Sequence, residues 1–148
     1  MSTLLIRLPQ EQYPLVNRFY KANGHKGKAR GNETVYVVRD SQAIIAAVRL
    51  CPKRDGWLLR SLWVAQARRG EGIGSKLLRE VMAVSEHRPC WCYPYDHLEA
   101  FYAASGFTVR PADEVPDDIR SPFEAYRQKG TRILLMGYNN HRGSTEPR

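Results

Sequence analysis

A chain of 148 residues fits one domain and leaves little room for a second, and its 43% hydrophobic content supplies enough apolar material for a core, which excludes a wholly disordered chain. No apolar run reaches the ~18 residues of a membrane-spanning helix, so no membrane role is expected. The net charge of +8 favours anionic partners, but charge alone does not choose among nucleic acid, an anionic membrane surface and a phosphorylated cofactor.

Residues 3–8 read as a first strand, preceded by nothing like a signal peptide, so the expected location is cytoplasmic. Over 10–22, Tyr13, Val16, Phe19 and Tyr20 recur at helical spacing. Pro14 falls in the first turn, where its missing N–H costs little, and Asn23-Gly24 ends the helix. Residues 23–32 are Gly-rich and basic, hence a loop. Three strand-like runs follow at 33–39, 42–51 and 56–65, parted by turns at Asp40-Ser41 and Lys53–Gly56, which predicts an antiparallel meander. From Gly70 the period changes: Ile73, Leu77, Leu78, Val81 and Met82 mark one helical face, with Lys76, Arg79 and Glu80 opposite, until His87-Arg88-Pro89 stops the helix.

A short strand over 89–93 leads to a helix over 96–105, with Asp96 as N-cap, Glu99 completing a capping box and Gly106 closing the end. Residues 107–110 are strand-like. Ser121-Pro122-Phe123-Glu124 reads as a second capping box, opening a short helix that ends at Gly130. Residues 131–138 form a markedly apolar last strand, which as an edge strand would need a cover and so suggests a homodimer. Residues 139–148 are a polar tail outside the 1–138 domain. The order β-α-β-β-β-α-β-α-β-α-β predicts an α/β fold with three layers, α/β/α, around a mixed, mostly antiparallel sheet. Cys51, Cys90 and Cys92 lie in strand-like runs at spacings that suit neither a disulfide framework nor a metal site, so they read as buried thiols and no metal is expected.

The segment carrying chemistry is Ser61-Leu-Trp-Val-Ala-Gln-Ala-Arg-Arg-Gly-Glu-Gly-Ile-Gly-Ser75, a strand that turns into an amphipathic helix. Glycines at 70, 72 and 74 let the backbone approach a ligand, the helix start favours an anion, and Arg68 and Arg69 add charge beside it. Taken alone, such a turn is also a plain tight connection. The Walker pattern is unmatched because Ser75-Lys76 stands in the wrong order, and the spacing G-x-G-x-G is not the dinucleotide fingerprint.

The spacing Arg69-x-x-Gly72-x-Gly74 resembles the cofactor signature of the GNAT superfamily of N-acetyltransferases, and Ala100-Phe101-Tyr102-Ala103-Ala104-Ser105-Gly106-Phe107 is similar to a second family segment. The likeness runs over about residues 33–110 in order and spacing. It implies a GNAT-like fold and an enzyme that moves an acetyl group from acetyl-CoA to a primary amine. The backbone of Leu62, Trp63 and Val64 would pair with the pantetheine arm. Arg69, Gly70, Glu71, Gly72, Ile73, Gly74 and Ser75 would hold the pyrophosphate, and Tyr102 would serve the departing CoA thiolate as general acid. Where many members carry an asparagine contacting the cofactor, this chain has Tyr95.

An aliphatic amine, with a pKa of about 10.4, must lose a proton before it attacks. The run 56–65 holds no carboxylate to take that proton. Glu33, Asp55, Asp96, His97 and Glu99 stand nearest in sequence, Asp96 and Glu99 read better as a capping pair, and water-mediated deprotonation is the expectation. For the acceptor, the basic loop (His25, Lys26, Lys28, Arg30) would suit an acid-bearing amine and Asp113, Glu114, Asp117 and Asp118 a polycation or a lysine-containing peptide, but such charge runs are more often solvated surface. Tyr102 reads also as a core aromatic beside Phe101. Two rival classes are an idle acyl-CoA-sensing regulatory module and a nucleic-acid binder. The second is not expected, because no recognition helix or basic–aromatic platform is evident.

Overall fold

A computed structural model describes residues 3–85 and 88–138 of the chain. Among the described residues seven strands and four α-helices follow the predicted order: β1 (Thr3–Arg7), α1 (Tyr13–Ala22), β2 (Thr34–Asp40), β3 (Ala43–Lys53), β4 (Gly56–Val64), α2 (Ile73–Val84), β5 (Cys90–Cys92), α3 (Glu99–Ala103), β6 (Phe107–Val109), α4 (Asp117–Gln128) and β7 (Met136–Tyr138). They form one mixed α/β sheet with the strand order β1-β2-β3-β4-β5-β7-β6. The expected polar tail and His87 lie outside the described residues.

The chain divides into two compact units, Met1–Pro52 with Leu59–Val84, and Lys53–Leu58 with Ser85–Arg148. In the first, β1 and β2 run antiparallel, as do β2 and β3. The apolar face of α1 supplies Tyr13, Val16, Phe19 and Tyr20 to a core shared with Leu8, Val35, Val37 and Ala47. The continuous apolar run of β3 is buried from Ile45 to Leu50, including, against its character, Arg49. In the second unit Trp57 and Leu58 of β4 pair in parallel with Cys90 and Trp91 of β5, and β7 pairs antiparallel with both β5 and β6. Its buried residues include Cys90, Cys92, Tyr102, Phe107, Ile119, Phe123, Leu135 and Met136.

Three expectations change. The helix over 96–105 divides into a 3₁₀ turn at Asp96–Leu98 followed by α3, with no side-chain cap. Asp96 turns its carboxylate to Arg132 at 3.2 Å instead. The capping box at Ser121 is not a helix start, because α4 begins four residues earlier and runs through Pro122. Pro116 blocks helix before it, Asp117 and Asp118 suit the positive end of the dipole, and Ile119 and Phe123, one turn apart, bury the apolar face. Finally, the strand over 131–138 shrinks to β7, preceded by an isolated bridge between Ile133 and Tyr95. β7 lies between β5 and β6 rather than at an edge, so the ground for expecting a homodimer through an uncovered apolar strand falls away.

Where β4 enters the sheet, Gly56 is buried, and a Cβ built there lands on the carbonyl oxygen of Pro89 and 3.1 Å from the Trp91 ring. The Trp57 N–H donates to that same carbonyl at 2.8 Å, so the two backbones have no slack. Gly56→Ala is therefore expected to cost about 3 kcal/mol, seen as a lower urea midpoint with an unchanged slope.

Candidate active site

β4 ends at Val64, and a 3₁₀ turn (Gln66–Arg68) carries the chain to the glycines. Gly70 and Gly72 adopt φ of +87° and +79°, a region that a side chain strains, and a Cβ built on either meets nothing within 4 Å. The Lys76 N–H bonds to Gly72 O at 3.1 Å. The N–H groups of Ile73, Gly74 and Ser75 come before that first helical bond and have no acceptor within α2. The result is an open cradle of backbone donors at the positive end of a three-turn helix, which fits a diphosphate.

The two arginines beside it differ. Arg68, expected to offer its charge to a ligand, places Nη1 2.8 Å from Asp40 and Nε 3.1 Å from Glu71, so its charge fastens the turn to the end of β2. Arg69 stays exposed, its guanidinium 5.0 Å from the centre of the Trp63 ring and its Nε donating to Val64 O at 3.1 Å. Trp63 in turn donates from Nε1 to Asn23 O at 2.8 Å, and Asn23 Oδ1 accepts the Gln66 N–H at 2.9 Å. The end of α1 thus holds the exit of β4. Every predicted cofactor-binding residue, from Leu62 to Ser75, belongs to the first unit.

Tyr102 belongs to the second unit. Its ring is buried edge-on against Phe101 (5.0 Å) and Phe107 (5.7 Å). Burial, and then the neighbouring Cys92 and Cys90, hold its hydroxyl well above the ordinary tyrosine value, so it remains protonated and gives up its proton reluctantly. Tyr95 is exposed and stacks on His97 at 5.9 Å. Of the acidic run read as an acceptor candidate, Asp117 pairs with Arg120, and Asp118 accepts the Arg54 N–H at 3.0 Å. Among the described residues no cluster of three His, Cys, Asp or Glu could hold a metal ion.

A second constellation escaped sequence reasoning. Ser61, in the middle of β4, has φ of +59°, a left-handed conformation rare for a residue with a side chain and rarer inside a strand. Three groups pin it: Tyr20 Oη donates to Ser61 O at 2.8 Å, Arg49 Nη1 donates to Ser61 Oγ at 2.8 Å, and His25 Nε2 lies 2.8 Å from the same oxygen. Arg49 is neutralised by Glu33, through Nε to Oε1 at 2.9 Å and Nη2 to Oε2 at 2.8 Å. The Cys51 thiol, pushed up to about 11 by burial and then by the Glu33 charge, donates to Glu33 Oε2 at 3.3 Å. Burial would raise the Glu33 carboxyl, but hydrogen bonds from Arg49 and the Arg30 N–H outweigh it and leave the value below the ordinary one. One signal was available: an arginine inside the apolar run of β3 demands a buried partner.

Removing either member of the Arg49–Glu33 pair strands the other charge. Glu33→Gln or Arg49→Met is expected to cost about 3 kcal/mol in unfolding free energy, with much of it recovered in the double variant. The depressed Glu33 value adds stability that is full above pH 4.5, the ordinary value, and is lost as the pH falls through the folded one. Urea titrations of wild type and Glu33→Gln across pH 3–6 would show that acid sensitivity only in the wild type.

Comparison with known proteins places these features in a family. The model of the acetyltransferase (GNAT) domain matches residues 31–109. The PanD regulatory factor of Escherichia coli is 32% identical over 85 residues, 53% of this chain and 67% of that protein. Among solved structures, N-acetylglutamate synthase from Neisseria gonorrhoeae, complexed with coenzyme A and N-acetyl-glutamate, shares the fold at a TM-score of 0.68 and 15% identity over 96% of this chain. The chain spans only 36% of that synthase. The IAA acetyltransferase from Bacillus cereus aligns at a TM-score of 0.68 and 17% identity, over 93% of this chain and 99% of its own.

Proposed function

The chain belongs to the GNAT acetyltransferase family, and from that premise we propose that it is an acetyl-CoA-dependent N-acetyltransferase acting on a primary amine of a small molecule or peptide. The observation that carries this reading is the open cradle at Gly70 and Gly72 ahead of α2. Acetyl-CoA supplies an acetyl group activated as a thioester. In this reading Gly70 to Ser75 hold its pyrophosphate through main-chain N–H groups, Arg69 adds a free positive charge, and the backbone of Leu62, Trp63 and Val64 receives the pantetheine arm as an added strand. Arg68 is a brace rather than a ligand.

Tyr102 is the proposed partner of the CoA sulfur. Its raised value makes it a hydrogen-bond donor at every working pH, suited to holding a thiolate as the C–S bond breaks. The protein is read as cytoplasmic, and no described helix is long and apolar enough to cross a membrane. A second reading, a regulatory module that binds acyl-CoA and performs no transfer, is favoured by the name of the Escherichia coli relative. Such a module needs the glycine cradle and has no use for Tyr102.

A thiol-release screen with acetyl-CoA across small amines, amino acids and lysine peptides separates the two, since robust turnover retires the regulator. Gly72→Asp and Gly74→Asp are each expected to abolish a micromolar CoA affinity, followed by calorimetry, because a carboxylate enters the anion seat. Unchanged binding in both would remove the cradle from the reading. Tyr102→Phe keeps the ring and its packing, so the fold and CoA affinity should survive while kcat falls by about 10- to 1000-fold, with KM for acetyl-CoA little changed. If Tyr102 is only a core aromatic, kcat stays within a factor of about three.

A further inference from the structure

Deepening the transferase reading and resting on it, we infer that Ser61 and His25 form the relay that takes the proton from the attacking amine. A serine hydroxyl has one proton and two lone pairs. At Ser61, one lone pair receives Arg49 Nη1–H, since a guanidinium only donates, and the hydroxyl proton is available to the unprotonated Nε2 of a neutral His25. One lone pair remains, and an ammonium N–H is a donor that fits it.

The surroundings suit that task. The Glu33 carboxylate, bound to two nitrogens of Arg49, cancels the charge that would otherwise repel a cationic amine. The His25 ring lies 4.9 Å from the ring centre of Tyr20 and 4.5 Å from that of Trp63, so its orientation is fixed by packing. Gly27 closes the cluster from the loop: a Cβ built there falls 2.6 Å from His25 Nε2, 2.7 Å from Ser61 Oγ and 3.2 Å from Arg49 Nη1. Only glycine lets the loop lie so close to all three polar atoms. Ser61 also directly precedes the strand residues assigned to the pantetheine arm, and its left-handed backbone is strain of the kind that collects at working sites.

The step balances. An N–H bond of the acceptor ammonium breaks as its proton bonds to Ser61 Oγ, while the Oγ–H proton passes to His25 Nε2. The freed nitrogen lone pair attacks the thioester carbon, the C–N bond forms and the C–S bond breaks with its electron pair on sulfur. The second proton, lost as the amide forms, ends on that sulfur, and the imidazolium returns the first to solvent. The charged and titratable groups around His25 are Tyr20 on α1, Glu33 ahead of β2, Arg49 and Cys51 on β3, and Arg69 beyond Trp63. Burial and then the Arg49 charge hold the imidazole below its ordinary 6.5, so it is neutral and able to accept at physiological pH.

The test uses the full chain and an acceptor found by thiol release. The wild-type kcat/KM should fall on the acid side through a value below 6.5, as His25 becomes protonated. His25→Gln keeps a polar group facing Ser61 and cannot carry the proton, so kcat/KM should drop by about 100- to 10,000-fold with CoA affinity unchanged, and the acid limb should vanish. His25→Ala leaves a slot between Tyr20 and Trp63, and added imidazole should restore its rate with saturation. A His25→Gln variant that keeps both its rate and its acid limb overturns the relay and leaves the transferase standing. If that variant does not fold, a wild-type profile flat through the imidazole range overturns it equally. A wild type that turns over no amine overturns the relay together with the transferase reading.

Discussion

A guanidinium inside an apolar sheet is tolerable only if each of its nitrogens finds an acceptor, and the groups around Arg49 in the first unit meet that condition. Two of its nitrogens go to Glu33 and the third to Ser61, so a side chain that would be an intruder in β3 becomes the link between β3, β4 and the residue that leads into β2. The ion pair by itself is weak evidence for stability, since the attraction offsets little more than the lost hydration. Its value lies in specificity of geometry. The bidentate fork fixes where the last nitrogen points, which fixes the Ser61 side chain, which in turn holds a backbone conformation the strand would otherwise reject.

The glycine cradle is held by a comparable device, again an arginine on carboxylates. Arg68 spans Asp40 and Glu71, so the turn that carries the left-handed glycines is tied to the end of β2. A binding loop braced in this way loses less conformational freedom when a ligand arrives. The neighbouring Arg69, lying over Trp63, keeps its charge in solvent. Two adjacent arginines of identical chemistry therefore divide the work of positioning and of attraction. Which takes which follows from the acids within reach.

The sequence made the element order legible because periodicity is local. Alternation in β2, the 3.6-residue face of α2 and the left-handed glycines at 106 and 130 all declare themselves within a few residues. The cofactor segment was legible for the same reason, its glycines and arginines being contiguous. What stayed hidden is non-local. Nothing near Ser61 announces a positive φ, because the groups that enforce it come from α1, the following loop and β3. His25 looked like one cation of a basic loop, and only folding turns it inward onto Trp63 while Lys26 and Lys28 remain exposed. Asp96 was a sound N-cap by type, but Arg132, thirty-six residues away, competes for its carboxylate. The short extent of β7 was equally out of reach, since the ladder ends where its partners end.

The position of β7 also bears on how the molecule comes into being. Both of its neighbours, β5 and β6, precede it in the chain, and it enters between them. During synthesis those two strands leave the ribosome first, and each has an inner edge with no ladder until residues 136–138 follow. A nascent chain that stops short of Met136 presents two open backbone edges facing a gap, the arrangement that recruits strands from other molecules. Closing that gap is a late, long-range event, and it sets the stage at which the newborn chain is most in need of a chaperone's shelter.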